Sequence, residues 1–521
     1  MLRRLWKPIA ATTVLIGTPS YLYYRFNKPQ TFELAVKARG ADGTPVMTSR
    51  SFPLLPQSTI EERLSANAHS DSISRPRGWT WKHTTASVAA NDPLEDAHAN
   101  AIIARDPSDP GGPGDWLFFT VMDGHGGPHT SRLLSKTLIN AVVLQLSSLV
   151  QATQTSTTFF SKPKPKLKPV IPDSHIVSLA IQSAFTKLDE ELLNAPLKVL
   201  ASNLDKDAVK QKIVPDLSQH PLALTTMLPA VSGSCALLAV FDTAQRDLYV
   251  ACTGDSRAVA GIWEENEDGQ GSWRVEVLSQ DQTGRNPDEL KRIQSEHPAD
   301  EAPNVIRAGR VLGGLEPTRA FGDARYKWPR EVQEVLSSTF LVGNDQPLRP
   351  PPSSFKTPPY VTATPVVTHR KFSFDSGDSN PQKQGSSPRF VVLATDGLWD
   401  KLSSQEVVAL VGGHLKGVRG TVPRAQLSEL VPTSSGAPTV EGKDKNTNNS
   451  KGSWSFGDEN LSVHLIRNAF GGGDVPALRK LMSIPSPFAR RYRDDTTVTV
   501  IWWDEQDGQT DMGFPHVKSK L

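Results

Sequence analysis

The sequence predicts an α+β protein made of antiparallel β-sheets with helices packed outside them. Two apolar runs, Ser234 to Phe241 and Leu248 to Thr253, are joined by the polar turn Asp242 to Asp247, and Arg257 to Trp263 follows directly as a third strand. Such adjacency favours hairpins over strict strand–helix alternation. Helical spacing is confined to a few amphipathic stretches. These are Ser131 to Val150, Asp173 to Leu193 with Asp173 or Ser174 as its cap, Pro287 to Glu296 and Ser404 to Val411. Of the 521 residues 37% are hydrophobic and 21% charged, enough apolar material for a core, so a wholly disordered chain is excluded.

Residues 1–28 hold Arg3, Arg4, Lys7, Arg25 and Lys28 and no acid, the pattern of a mitochondrial presequence. Within them Ile9 to Tyr24 is largely apolar and, counted from Leu5, nears the roughly 20 residues that cross a bilayer. A cleaved presequence and a membrane anchor are both compatible with it. Residues 29–78 read as a polar, irregular lead-in, and 79–504 as the folded domain. Trp116 to Met122, Phe390 to Thr395 and Thr497 to Trp502 add three buried-strand patterns to that domain. Stretches near 151–173, 195–228, 331–358, 371–389 and 415–458 read as surface insertions, the first with the basic run Lys162 to Pro169. The tail 505–521 ends in Ser519-Lys520-Leu521, a peroxisomal address, so the two ends name different organelles.

With 57 basic against 55 acidic residues the formal charge is +2, which provides no field for a polyanion, so no nucleic-acid partner is expected. Two cysteines, Cys235 and Cys252, lie in apolar runs, which excludes a disulfide scaffold and a Cys-rich zinc site.

The chemistry lies in acids set in short Gly-flanked segments at the edges of apolar strands. They are Glu95-Asp96, Asp123 before Gly124, Asp255, Asp396 with Asp400 behind it, and Asp494-Asp495. One Asp-Gly pair is simply a turn. The set is not explained that way, because turns do not need an acid at the end of every buried run. A carboxylate beside a buried strand is costly unless its charge is offset, and oxygen-only ligands select hard cations such as Mg2+ or Mn2+. Two such ions could clamp a phosphoryl oxygen and supply a bridging hydroxide, with His125 as proton donor to the leaving group.

These residues resemble the metal-dependent Ser/Thr protein phosphatases of type 2C. The matches, in the family's order, are Glu95-Asp-Ala-His98, Val121-Met-Asp-Gly-His-Gly-Gly127, Ser232-Gly-Ser-Cys-Ala236, Thr253-Gly-Asp-Ser-Arg257, Thr318-Arg-Ala-Phe-Gly-Asp323, Ala394-Thr-Asp-Gly-Leu-Trp-Asp400 and Asp494-Asp-Thr-Thr-Val498. The resemblance implies an αββα sandwich of two antiparallel sheets flanked by helices. It implies hydrolysis of phosphoserine or phosphothreonine in proteins with two Mg2+ or Mn2+ ions, plus a weaker third. Asp123 would bridge both metals and the Gly124 carbonyl bind one. Asp396 and Asp494 would bind the other, and Asp96 or Glu95 would act through water. Asp255 would match the third site, and His125 the general acid.

One position departs from the pattern. Many members carry an Arg four residues before the Glu of the Glu-Asp pair, gripping the substrate phosphate. Here it is Asn91, which keeps a donor but has no charge for a bidentate ionic grip. Asn91-Asp-Pro-Leu-Glu-Asp96, Leu278-Ser-Gln-Asp-Gln-Thr283, Gly309-Arg-Val-Leu-Gly-Gly-Leu315, Arg325-Tyr-Lys-Trp328 and Pro358-Pro-Tyr-Val-Thr362 resemble the mitochondrial pyruvate dehydrogenase phosphatase branch. That branch implies the dehydrogenase complex as partner. Two other readings compete: a pseudophosphatase that only binds partners, whose mark would be a missing metal acid, and a two-metal nuclease. The acid set is intact and no basic, aromatic-interleaved groove is present.

Overall fold

The computed structural model describes residues 30–39, 44–75, 79–105, 111–155, 173–211, 213–265, 271–372, 388–434 and 452–505. Two sheets dominate. A five-stranded sheet runs in the order Val366–Lys371, Asp247–Thr253, Ala236–Asp242, Asp115–Met122, Ala97–Ala104, antiparallel throughout. A seven-stranded sheet runs Thr433–Ser434, Gly271–Val277, Arg257–Glu265, Pro388–Ala394, Thr496–Glu505, Trp79–Val88, His69–Arg75. It is antiparallel apart from the pairing of its first two strands.

The continuous apolar runs follow from burial on both faces of each sheet. Leu117, Phe119 and Val121 point between the sheets, where they meet Leu237, Phe241, Val391, Leu393 and Ile501. Phe118 and Met122, one residue out of phase, meet the helices His129–Thr155 and Ser174–Asn203 through Leu138, Val142, Ile181 and Phe185. On the far side, Phe390, Val392 and Ala394 pack under the helices Ser404–Leu415 and Leu461–Phe470. Ser403 and Glu406 close a reciprocal cap at the start of the first of these. The layers are therefore helix, sheet, sheet, helix, as the resemblance implied. Each fully buried Leu or Phe contributes about 1.5–3 kcal/mol by leaving water.

Residues 29–78 are not an irregular lead-in. Thr31–Arg39 and Pro45–Pro53 pair as a hairpin, Gln57–Ser65 is a helix with Ile60 and Leu64 fully buried, and His69–Arg75 is an edge strand. Their few apolar side chains (Leu34, Val36, Phe52, Ile60, Leu64) suffice because they add to an existing core rather than building one. Two predicted insertions also belong to the folded body. The helix from Ser174 continues past Pro196 to Asn203 and packs, through Leu192 and Leu200, on Met227 of the helix Ala223–Val231. Burial on both sides of Pro196 offsets the loss of its helical hydrogen bond. Within 331–358, Leu336, Phe340 and Leu341 are buried in that same cluster. The presequence and membrane-anchor readings of 1–28, the run Lys162–Pro169, most of 371–389, the middle of 415–458 and the terminal Ser519-Lys520-Leu521 lie outside the described residues. Among the described residues no helix is long and apolar enough to cross a membrane.

Candidate active site

Register brings the acids together. In the five-stranded sheet Ala97 pairs with Met122, Val121 with Leu237, and Ala236 with Thr253. Asp96, Asp123 and Asp255 therefore leave the same end of that sheet. In the other sheet Arg257 and Val498 both pair with Ala394, so Asp396 and Asp494 also share one end. Gly254-Asp255-Ser256 is the direct link between the strands ending at Thr253 and beginning at Arg257, which holds the two ends side by side.

Asp123 sits at the centre. Its carbonyl accepts from the Cys235 amide at 2.9 Å, and the Asp396 amide approaches its Oδ2 at 3.4 Å. Burial, and then the charges of Asp396, Asp96, Asp255 and Asp494, push its carboxyl well above the usual range. Burial followed by Asp495 does the same to Asp96, against hydrogen bonds from Thr497 and Thr395. Thr395 Oγ1 donates to Asp96 Oδ2 at 2.9 Å, while Asp96 Oδ1 is buried with no hydrogen-bond partner. Asp255 is raised to about 7 by burial and Asp396, although Cys235 Sγ donates to it at 3.2 Å. Asp494 is raised to about 6 by burial and Asp396, partly offset by Arg490.

A group of buried, mutually repelling carboxylates with an orphaned oxygen suits a hard divalent cation, since every donor is oxygen. Among the described residues no three His, Cys, Asp or Glu side chains already stand in the arrangement of a metal site. Repulsion between unneutralised carboxylates is a physical reason for such side chains to stand apart. The backbone register itself brings the five acids to adjoining ends of the two sheets. Gly124 lies against this group without a side chain, and a Cβ there would overlap the Glu95 carbonyl oxygen.

Glu95 is held at the edge of the cluster by three donors. Its Oε1 accepts from the Gly127 amide at 2.6 Å, and its Oε2 from Asn91 Nδ2 and Arg490 Nη1, both at 3.1 Å. Of the Glu95-Asp96 pair, Asp96 is the acid that faces Asp123. Asp495 is also structural. Its Oδ1 accepts from the Ala90 and Asn91 amides at 2.6 and 2.9 Å, and its Oδ2 from Asn91 Nδ2 at 3.0 Å and the Glu95 amide at 2.8 Å.

His125 pairs through Nε2 with Asp323 Oδ2 at 2.7 Å. Burial opposes a charge on the ring, but Asp323, then Asp255 and Glu95, outweigh it, so the imidazole pKa lies above its ordinary value. Asp323 adopts φ +51°, and its amide donates to the Ser232 carbonyl at 2.9 Å. Gly233 lies against the pair, and a Cβ there would collide with both His125 Nε2 and the Asp323 carboxylate. Sequence reasoning gave Asp323 no role. The available signal was its place in Thr318-Arg-Ala-Phe-Gly-Asp323, an acid-bearing Gly-flanked segment like the others. Arg490 was missed too, since nothing local to Ala489–Arg491 marks it.

The family model for Protein phosphatase 2C matches residues 85–421. The match takes in every acid of the cluster except Asp494, which the register adds. The chain belongs to the protein phosphatase 2C family and is a protein phosphatase. Within that family it groups with the branch named for pyruvate dehydrogenase phosphatase. It is 36% identical over 486 residues to pyruvate dehydrogenase (acetyl-transferring)-phosphatase 1, mitochondrial, of Saccharomyces cerevisiae, covering 90% of this chain and 76% of that one. A protein phosphatase 2C homolog of Schizosaccharomyces pombe is 37% identical, over 80% of this chain and 79% of that one. The Homo sapiens pyruvate dehydrogenase (acetyl-transferring)-phosphatase 1, mitochondrial, is 31% identical, over 80% of this chain and 76% of that one.

Proposed function

We propose that this phosphatase hydrolyses phosphoserine and phosphothreonine monoesters with Mg2+ or Mn2+, and that its substrate is the phosphorylated pyruvate dehydrogenase complex in mitochondria. The observation that carries the chemistry is the register that brings Asp96, Asp123, Asp255, Asp396 and Asp494 to adjoining ends of the two sheets. Asp123, Asp96, Asp396, Asp494 and the Gly124 carbonyl would hold two cations, and Asp255 would hold a weaker third. When bound, the cations supply Lewis-acid stabilisation of phosphoryl charge and a water of lowered pKa.

The protein's own groups do the rest. Asp123, fixed through its backbone to Cys235, sets the position of the reacting centre between the sheets. His125, protonated and oriented by Asp323, gives its proton to the serine oxygen as the ester bond breaks. The named substrate and compartment of the relatives support the choice of complex and organelle. Peroxisomal sharing through Ser519-Lys520-Leu521 draws no support from those names.

Two results are expected. Turnover of p-nitrophenyl phosphate with Mn2+ stops on chelation and returns on Mn2+ addition. Chelation-insensitive turnover contradicts the metal role, and no turnover with Mn2+ favours a pseudophosphatase. Activity on single-stranded DNA in a parallel incubation would favour a nuclease. His125→Ala slows phosphoserine peptide by about 10²-fold or more, but p-nitrophenyl phosphate much less, because a good leaving group needs little protonation. Equal losses on both remove the proton-donor assignment. Dephosphorylation of isolated phospho-pyruvate dehydrogenase complex by the full chain tests the substrate.

A further inference from the structure

We infer that Arg490 is the residue that grips the substrate phosphate, in place of a cation at position 91. The inference rests on the phosphatase reading above and adds the group that recognises the phosphoryl oxygens. A cluster of carboxylates repels a phosphate dianion, and a guanidinium at its rim would add a bidentate, charge-assisted grip to whatever any cations provide. Asn91 cannot supply it. Its amide is neutral and donates to Glu95 Oε2 and Asp495 Oδ2, holding two acids rather than facing the site.

Arg490 has the required position. Its Nη1 lies 3.1 Å from Glu95 Oε2 and 3.8 Å from Asp494 Oδ1, and its side chain is 46% exposed. It thus stands at the lip of the cluster, between the acid that ties down Gly127 and an acid of the second sheet. Burial opposes its charge, but Asp494, Glu95, Asp123 and Asp495 all act to keep it. No other lysine or arginine among the described residues forms an ion pair with Glu95, Asp96, Asp123, Asp255 or Asp494.

The guanidinium is also free to grip. Its one hydrogen bond among the described residues uses Nη1, which leaves the Nε–Nη2 edge for a two-point contact with phosphate oxygens. The backbone beneath it is fixed. Ala489 is fully buried in a cluster with Leu34, Val36, Phe52 and Ile484. Phe488 meets Phe52 edge-on at 5.3 Å, and Tyr492 Oη donates to the Ala35 carbonyl at 3.3 Å. The N-terminal hairpin therefore braces the turn that presents Arg490. This places the hairpin, which lies outside the stretch matched by the family model, next to substrate recognition.

The test uses the Mn2+-loaded full chain with Arg490→Gln, Arg490→Lys and, as a control, Arg132→Gln, an exposed arginine in the first turn of the helix His129–Thr155. Inorganic phosphate binding is read by calorimetry, Mn2+ binding by electron paramagnetic resonance, and KM and kcat on phosphoserine peptide. Arg490→Gln is expected to weaken phosphate binding and raise KM by about tenfold or more, the scale of a lost charge-assisted pair. Its Mn2+ affinity is expected to stay within about twofold, a difference worth under a kcal/mol. Arg490→Lys is expected to recover part of the phosphate affinity, and Arg132→Gln to match the wild type. Unchanged phosphate binding in Arg490→Gln overturns the inference. So does a loss of Mn2+ affinity as large as the loss of phosphate affinity, which would make Arg490 a support for the acids. A wild type that binds phosphate but hydrolyses no ester would strike the phosphatase reading alone.

Discussion

Asp123→Asn is expected to lower turnover by at least about 10³-fold and, in metal-free protein, to raise thermal stability. The first effect follows from removing the charge that the other acids face and that any shared cation would need. The second follows from the same geometry with no cation bound. Burial and four neighbouring acids oppose the Asp123 carboxylate, so the isosteric amide relieves about 1–3 kcal/mol, the cost of one uncompensated buried polar group.

The pH dependence has a definite sign. Asp255 and Asp494 have folded-state values raised to about 7 and about 6. A carboxyl raised in this way contributes stability that is fully present below its unfolded value near 4 and is lost as pH rises through 6 to 7. Chelator-treated wild type should therefore melt lower at pH 8 than at pH 5, and Mn2+ should remove most of that difference. A flat profile without metal would mean that the acids do not repel one another. An Asp123→Asn protein that melts lower than wild type would mean the same.

Asp495→Ala should do the opposite. This carboxylate accepts four hydrogen bonds, from the amides of Ala90, Asn91 and Glu95 and from Asn91 Nδ2. Its loss strands buried donors and costs about 3–4 kcal/mol, with activity falling as the Asn91–Asp96 segment shifts. Asp495→Asn is only a partial remedy, because its amide nitrogen must face two of those donors, whichever oxygen it replaces. Adjacent acids thus differ in kind: Asp494 faces the cluster and Asp495 holds the loop. If chemical denaturation shows the Asp495 variants as stable as wild type, that division is wrong.

The strands that carry the site were legible because they are buried on both faces. Leu117 to Met122, interrupted only by Thr120, and Phe390 to Ala394 read as apolar runs, and the acids at their ends stand out against them. The hairpin Thr31–Arg39 and Pro45–Pro53 was not legible, since only Leu34, Val36 and Phe52 are buried and most of the rest faces water. The segment 331–341 reads as an insertion because its apolar residues are spaced among polar ones, of which Glu331, Glu334 and Ser338 face water while Gln333, Ser337 and Thr339 are buried with hydrogen bonds that no local pattern announces. Glu95 and Asp96 are chain neighbours of like charge, and only the fold decides which of them faces Asp123. Asp323 and Arg490 reach their partners across 198 and 395 residues of chain, a distance no local pattern encodes.

The central claim is that acids from both sheets act together on divalent cations. Equilibrium Mn2+ binding to the purified full chain, followed by electron paramagnetic resonance, tests it most directly. Wild type should take up about two tightly bound ions, and Asp123→Asn, Asp396→Asn and Asp494→Asn should each lose at least one. Mn2+ uptake identical to wild type in all three variants would contradict it.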